Sequence, residues 1–380
     1  MTGHGKGSPS AAGRGPAGNA IMDKIERQGK IAQRGVLFVV LSLAAVFIMA
    51  ALTGCGAAPA SDSDSDSDGR LQIVTTIFPQ YDFARAVAGG QADVTMLLKP
   101  GEEIHSYEPT PRDILAIQEC DLFIYVGGEN DVWVERILDG MGEDRPRTLR
   151  LVDLVDTVDE EIVEGMMPER ETHADEDEES ADEHVPGGDA SGETHEEPDE
   201  HVWTSPRNAA VITEKIAESM SALDPDNAEI YGRNAADYEA QILALDEEFR
   251  AVRQKAKRDT IVFGDRFPIR YFALEYGLRY YAAFPGCSAE SEPSAATLAF
   301  LIDKVREDKI PVVFSIEFSS GNIARAICES TGAVQRTFHT CHNVTRDEFE
   351  SGATYVSLMR GNLEAVREAL CGDMPLPQEE

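Results

Sequence analysis

The sequence is poor in basic residues: 34 Lys and Arg stand against 69 Asp and Glu, which gives a net charge of −35 over 380 residues. Nucleic acid and anionic lipid would be repelled by such a chain, so neither is expected as a ligand. The HExxH pattern of zinc hydrolases and the GxSxG pattern of a nucleophile elbow are also missing. These absences weigh against an enzyme, although histidines and carboxylates in a cleft can also hold a catalytic metal.

Cysteine is scarce as well, with six in the whole chain. Five of them follow Cys55; outside the cytoplasm a pair of these can form a disulfide, and the odd count leaves a thiol or a metal ligand. Two pairings stay open from the sequence: Cys287 with Cys341, and Cys328 with Cys371. Cys120 belongs to neither.

The amino-terminal part of the chain has the features of a secretory signal. A basic run at residues 24–34 precedes an apolar segment that ends in LTGC, with Met22 as an alternative start. The tetrapeptide resembles the bacterial lipobox, which implies a signal peptide over residues 1–54 and acyl chains on Cys55. Residues 55–70 then form a charged tether. A retained membrane-spanning helix is the alternative, but the apolar run is short for one.

Strand and helix patterns alternate along the rest of the chain, which predicts the α/β class with a mostly parallel sheet covered by helices. The pattern occurs twice, in an N-terminal lobe at residues 71–225 and a C-terminal lobe at residues 259–380. Between them, residues 226–258 carry a one-sided apolar stripe and predict one long rigid connecting helix. A ligand is expected in the cleft between the lobes, at the carboxyl ends of the strands.

Periodicity is lost over residues 159–200, an acidic insertion within the first lobe that carries His173, His184 and His195. Its length far exceeds an ordinary connection, which indicates a functional or disordered segment. Histidines among carboxylates bind divalent metals weakly, so we expect this loop to capture metal and feed the cleft. A solubilising loop with incidental histidines is the alternative.

Two further histidines lie where cleft residues arise. His105 follows a strand in the loop KPGEEIHSYEPTPRDI, and His201 precedes a helix in DEHVWTSPRNA. Neutral imidazole is a common zinc ligand, so two such positions facing each other would supply half of a tetrahedral site.

These two motifs, with RYFALEYGL and TYVSLMRGNLEAV, resemble the metal-binding (zinc and manganese) lipoproteins of ABC importers, the ZnuA-like cluster A-I solute-binding family. The resemblance covers residues 71–370 and implies that His105 and His201 are metal ligands. It also implies a monomer, lipid-anchored to the outer face of the bacterial cell membrane, that passes a divalent metal to a permease driven by an ATPase.

The other two ligands of the family do not carry over directly. One family position is occupied by Arg266, which cannot bind a cation, so Asp265 is the predicted substitute. The position of the last family ligand is occupied by Ala353.

The segment FHTCHNVT offers a replacement, and we predict His342 as the ligand. We predict a strand over VQRTFHTCH. Alternation along that strand puts His339 and Cys341 on one face, behind His342. Glu317 at the end of VVFSIE is a possible ligand or an outer partner of an imidazole. Cys287 is an alternative soft ligand.

A site of three imidazoles and one carboxylate favours Zn²⁺, because Mn²⁺ prefers more oxygen ligands. The sequence therefore predicts an extracytoplasmic zinc-binding protein of an importer. A manganese- or iron-binding homologue, and a zinc-buffering or adhesin-type surface lipoprotein without a permease, remain the alternatives.

Overall fold

The computed structural model describes residues 69–104, 107–166, 198–286, 288 and 292–374. The predicted signal peptide, Cys55 and its tether lie outside the described residues, apart from the last two tether positions. So do His105 and Cys287, as well as His173, His184 and His195 of the insertion.

The first lobe is built on a parallel sheet of four strands: β1 (Leu71–Thr75), β2 (Ala92–Met96), β3 (Leu122–Tyr125) and β4 (Arg147–Arg150). The strand order is β2-β1-β3-β4. Three helices connect these strands: α1 (Phe78–Ala88), α2 (Pro111–Glu119) and α3 (Val132–Met141). Strand β3 is buried along its whole length, as expected of a strand covered on both faces.

The second lobe repeats the arrangement with β5 (Thr260–Phe267), β6 (Arg279–Pro285), β7 (Val312–Ile316) and β8 (Val334–Phe338). The order is β6-β5-β7-β8, and all pairs are again parallel. Its helices are α6 (Arg270–Glu275), α7 (Ala295–Glu307), α8 (Asn322–Thr331), α9 (Arg346–Glu350) and α10 (Tyr355–Cys371). The predicted fold class, two parallel-sheet α/β lobes, is confirmed.

Two helices lie between the sheets in the chain, α4 (Pro206–Leu223) and α5 (Ala228–Gln254). Helix α5 has 27 residues and is about 40 Å long. It packs on α4, α1 and α10. Its predicted apolar stripe is buried, at Tyr238, Ile242, Leu245, Phe249 and Val252. One continuous apolar core therefore includes residues of both lobes and of this helix.

The lobes are also joined by hydrogen bonds beside the cleft. The backbone N–H of Phe78 donates to the carbonyl of His342 (3.1 Å), and that of Gly101 donates to Val344 (2.8 Å). Strands of a parallel sheet all end at one edge, and the loops after β2 of one sheet and after β5, β7 and β8 of the other line one cavity.

Strand β8 ends at Phe338, whereas the sequence predicted that it continues to His342. The alternation argument for His339 and Cys341 is therefore wrong. Cys341 has a positive φ of 66°, a conformation incompatible with a continuing strand.

Of the two pairings, Cys328–Cys371 is not formed, and Cys287 of the other pairing lies outside the described residues. Cys120, Cys328, Cys341 and Cys371 all carry free thiols.

None of the helices in the described ranges is long and apolar enough to cross a membrane.

Candidate metal centre

His201 is fully buried at the start of a single 3₁₀ turn, Val202–Thr204, that leads into α4. Its Nδ1 lies 2.9 Å from Oδ1 of Asp199, and the same oxygen accepts the backbone N–H of His201. The Tyr271 hydroxyl donates to the carbonyl of Asp199 (2.6 Å), which fixes this segment against the second lobe.

The carboxylate of Asp199 determines the protonation of the ring. A carboxylate only accepts, so the ring proton lies on Nδ1 and Nε2 keeps its lone pair. Nε2 of His201 is buried without a hydrogen-bond partner among the described residues. Buried nitrogens are nearly always satisfied, and a carboxylate on Nδ1 is the usual outer partner of a metal-bound imidazole.

Burial opposes protonation of His201, but three carboxylates oppose that effect. Asp199, then Glu200 and Glu160, raise the pKa of His201 above its ordinary value. The site is therefore strongly negative around this imidazole, a charge that also favours a bound dication.

His342 follows β8 and is 8% exposed. Its Nδ1 contacts Oγ1 of Thr340 at 2.5 Å, and that hydroxyl also contacts Oε1 of Glu317. Glu317 only accepts, so the hydroxyl proton points to Glu317 and the ring proton of His342 points to the hydroxyl oxygen. His342 is thereby prepared to coordinate through Nε2.

The two imidazoles lie side by side. Their ring centroids are 4.9 Å apart with an interplanar angle of 79°. The Trp203 ring lies 5.6 Å from His201 and 5.1 Å from His342. Its Nε1 donates to the carbonyl of Thr340 (2.9 Å), which couples the two histidine segments across the lobes.

His339 is held differently. The backbone N–H of Cys341 donates to its Nδ1 (3.0 Å), so the proton of the neutral ring lies on Nε2. Neither nitrogen then offers a lone pair to a metal. Cys341 is buried, and burial raises the pKa of its thiol, which disfavours the thiolate that a metal would need.

Glu317 is turned towards the same loop. Its Oε2 accepts the backbone N–H of Thr340 (2.7 Å), and its Oε1 lies 4.0 Å from Nδ1 of His342. Glu317 therefore contacts His342 through Thr340.

Asp265 points into the sheet. Its two oxygens accept the backbone N–H groups of Arg266 (2.9 Å) and Ile316 (3.3 Å), which ties the ends of β5 and β7. Within the described residues no group of three or more His, Cys, Asp or Glu is arranged to hold a metal ion. Asp265 is thus not brought together with His201 and His342, and its role as a ligand stays a prediction.

A cavity of about 30 Å³ lies beside His342. The loop Glu102–Ile104 forms its first-lobe wall, directly before His105, and Arg266, Gly286 and Glu317 contribute from the second lobe. A side chain at Gly286 would stand 3.3 Å from Cε1 of His201, so glycine leaves that ring its space. The volume suits one ion or one or two waters and excludes an organic ligand.

Sequence reasoning missed Asp199, Thr340 and Trp203. Asp199 had a readable signal, since an acid two residues before a histidine can reach its ring. Thr340 also lies two residues before its histidine, but its contact with Glu317 and the contact of Trp203 join distant segments and had no local signal.

The sequence matches the family described as ZnuA, zinc-uptake complex component A, periplasmic, over residues 73–369. The zinc-binding lipoprotein AdcA of Streptococcus pneumoniae serotype 4 is 32% identical over 312 residues, 82% of this chain and 58% of that protein. The high-affinity zinc uptake system protein ZnuA of Bacillus subtilis is 30% identical over 334 residues, 88% of this chain and 97% of that protein.

A solved structure agrees in fold. The Zn(II)-bound ZnuA-like domain of Streptococcus pneumoniae AdcA aligns with a TM-score of 0.62 at 30% identity, covering 80% of this chain and 100% of that domain. The chain thus spans a little over half of whole AdcA but the full length of its ZnuA-like domain.

Proposed function

Because this chain belongs to the ZnuA family, we propose that it captures a divalent metal, zinc, outside the cytoplasm and delivers it to an ABC permease for import. It acts as a monomeric lipoprotein anchored through Cys55, with the permease and its ATPase as partners. The metal is cargo, held between the lobes and released to the permease.

One observation carries this proposal: two buried imidazoles, His201 and His342, lie 4.9 Å apart between their ring centroids, each with an oxygen atom against Nδ1. Rings held in this way present Nε2 to a shared ion. His105 is the third proposed ligand, since the residues just before it line the same cavity. Asp265 or a water would complete the set.

Nitrogen-rich ligation supports zinc over manganese. Both named relatives are described as zinc proteins, and the aligned AdcA domain is zinc-bound. Mn²⁺ is the alternative cargo. We further propose that His173, His184 and His195 collect metal weakly and pass it to the cleft.

Elemental analysis and zinc titration of the purified full chain test the capture step. The wild-type protein should retain one tight zinc, and His201→Ala should lose it. The weak sites should persist in His201→Ala and disappear on deletion of residues 167–199. A wild-type protein without zinc would refute the proposal.

Zinc-limited growth of the source cell tests delivery. Deletion of the gene, of its permease or of both should impair growth to the same extent, because the two proteins act in one path. Normal growth without the permease, together with intact zinc binding, would favour a buffering or adhesin-type lipoprotein.

A further inference from the structure

The metal cleft contains a cationic side chain, which is unexpected beside a site for a dication. Arg266, near the end of β5, is the only lysine or arginine among the described residues that line the cavity beside His342. Arg266 belongs to the second lobe, and the loop Glu102–Ile104 of the first lobe lines the same cavity. An arginine cannot serve as a ligand, so its presence needs another reason.

Arg266 reaches across the cleft to a carboxylate. Its Nη1 lies 3.5 Å from Oε1 of Glu103, and the two side chains are 23% and 42% exposed. Glu103 precedes the proposed ligand His105 by two residues and lines the same cavity. A carboxylate at this position has the right chemistry to bind an ion held by His201 and His342.

The backbone that carries Glu103 is fixed from the second lobe. Asn343, only 1% exposed, donates its side-chain N–H groups to the carbonyls of Lys99 (2.7 Å) and Glu102 (2.8 Å). With the backbone held in this way, the direction of the Glu103 carboxylate depends on the partners of its side chain, and Arg266 is one of them.

We propose that Arg266 is a specificity-determining residue, which withholds the Glu103 carboxylate from the ion and keeps the site rich in nitrogen. The inference rests on the proposed function. Added carboxylate oxygen would favour Mn²⁺ relative to Zn²⁺, because manganese prefers oxygen ligands and zinc accepts imidazole readily. The ion pair between Arg266 and Glu103 therefore shifts the preference of the site towards zinc.

The test compares four full-length proteins: wild type, Arg266→Gln, Arg266→Lys and the double variant Arg266→Gln with Glu103→Gln. Zn²⁺ affinity is measured by competition with a chromophoric chelator, and Mn²⁺ affinity by the electron paramagnetic resonance signal of the free ion. In Arg266→Gln the ratio of zinc to manganese affinity should fall by about fivefold, mainly through tighter manganese binding, because a partly exposed ion pair holds the Glu103 carboxylate only weakly. The double variant should restore the ratio, and Arg266→Lys should keep it.

Other outcomes would overturn the inference. Equal gains for both metals in Arg266→Gln, unaffected by Glu103→Gln, would show simple charge repulsion by Arg266. An unchanged ratio would show that Glu103 is never withheld. Failure of the wild type to bind zinc would instead refute the proposed function itself.

A single variant covers the case in which Arg266→Gln does not fold. Glu103→Gln alone should change zinc affinity by less than about fivefold, since a half-exposed ion pair contributes little. A larger loss would mean that Glu103 already binds the metal, and it would overturn the inference.

Discussion

His201 and His342 are prepared for a metal by different means. His201 depends on Asp199, two residues earlier in the same loop, whereas His342 depends on Thr340 and, through it, on Glu317 at the end of a neighbouring strand. The first arrangement is local and charged, and the second is assembled by the sheet. At His201 the Asp199 carboxylate both orients the ring and places a negative charge against it. At His342 the Thr340 hydroxyl orients the ring, and the negative charge of Glu317 lies one contact further away.

The largest effect is expected within the segment His339–His342, where two histidines differ in the proton that each ring carries. His342→Ala should weaken zinc binding by more than about 100-fold, the upper range for outer partners of a ligand, because it removes a ligand itself. His339→Ala should leave the affinity nearly unchanged, since the backbone N–H of Cys341 occupies its Nδ1. Titration calorimetry of both variants measures the difference. Equal losses would show that His339 also binds the metal.

The outer partners should differ next. Asp199→Ala should cost about 100-fold in zinc affinity, and Glu317→Ala about tenfold, because only Asp199 contacts its ring directly. Chelator competition gives both values. Asp199→Glu and Glu317→Gln are the matched controls, and each should recover part of the loss. A larger effect at Glu317 would mean that the hydroxyl relay matters more than the direct carboxylate.

The pH dependence of zinc affinity tests the role of the charged Asp199 carboxylate beside His201. Carboxylates raise the pKa of His201, so as pH falls through that raised value a proton occupies Nε2 and metal binding is lost. Below this point affinity should fall by about tenfold per pH unit, as for one proton competing with one ion. In Asp199→Asn the pKa of His201 should be lower, because its main charged neighbour is gone. The decline should then begin at lower pH, and an identical onset in both proteins would contradict this explanation.

The same contrast explains how far the sequence could be read. Strand and helix patterns are local, so both parallel sheets and the stripe on α5 followed from residue spacing. His201 stood out from its place just before a helix, whereas Asp199 was missed although it lies only two residues earlier. His342 could be picked out of HTCH only by an argument from strand alternation. That argument was wrong, because the strand ends at Phe338 and Cys341 adopts a positive φ. Thr340 and Trp203 gain their roles from contacts across 23 and 137 residues of chain, respectively, which no local pattern encodes.

The smallest effect on zinc affinity is expected at Asp265. Its sequence position predicts a metal ligand, whereas its contacts are with backbone N–H groups. Both of its oxygens accept backbone N–H groups, so Asp265→Asn should lose one acceptor and lower the free energy of unfolding by about 1–2 kcal/mol. Zinc affinity should change little, since the carboxylate supports the ends of β5 and β7 and contacts neither imidazole among its hydrogen-bond partners. Denaturant unfolding and zinc titration of the same sample separate the two effects. A loss of zinc affinity as large as that of His342→Ala, with stability preserved, would make Asp265 the fourth ligand and would require its side chain to turn from the sheet towards the metal.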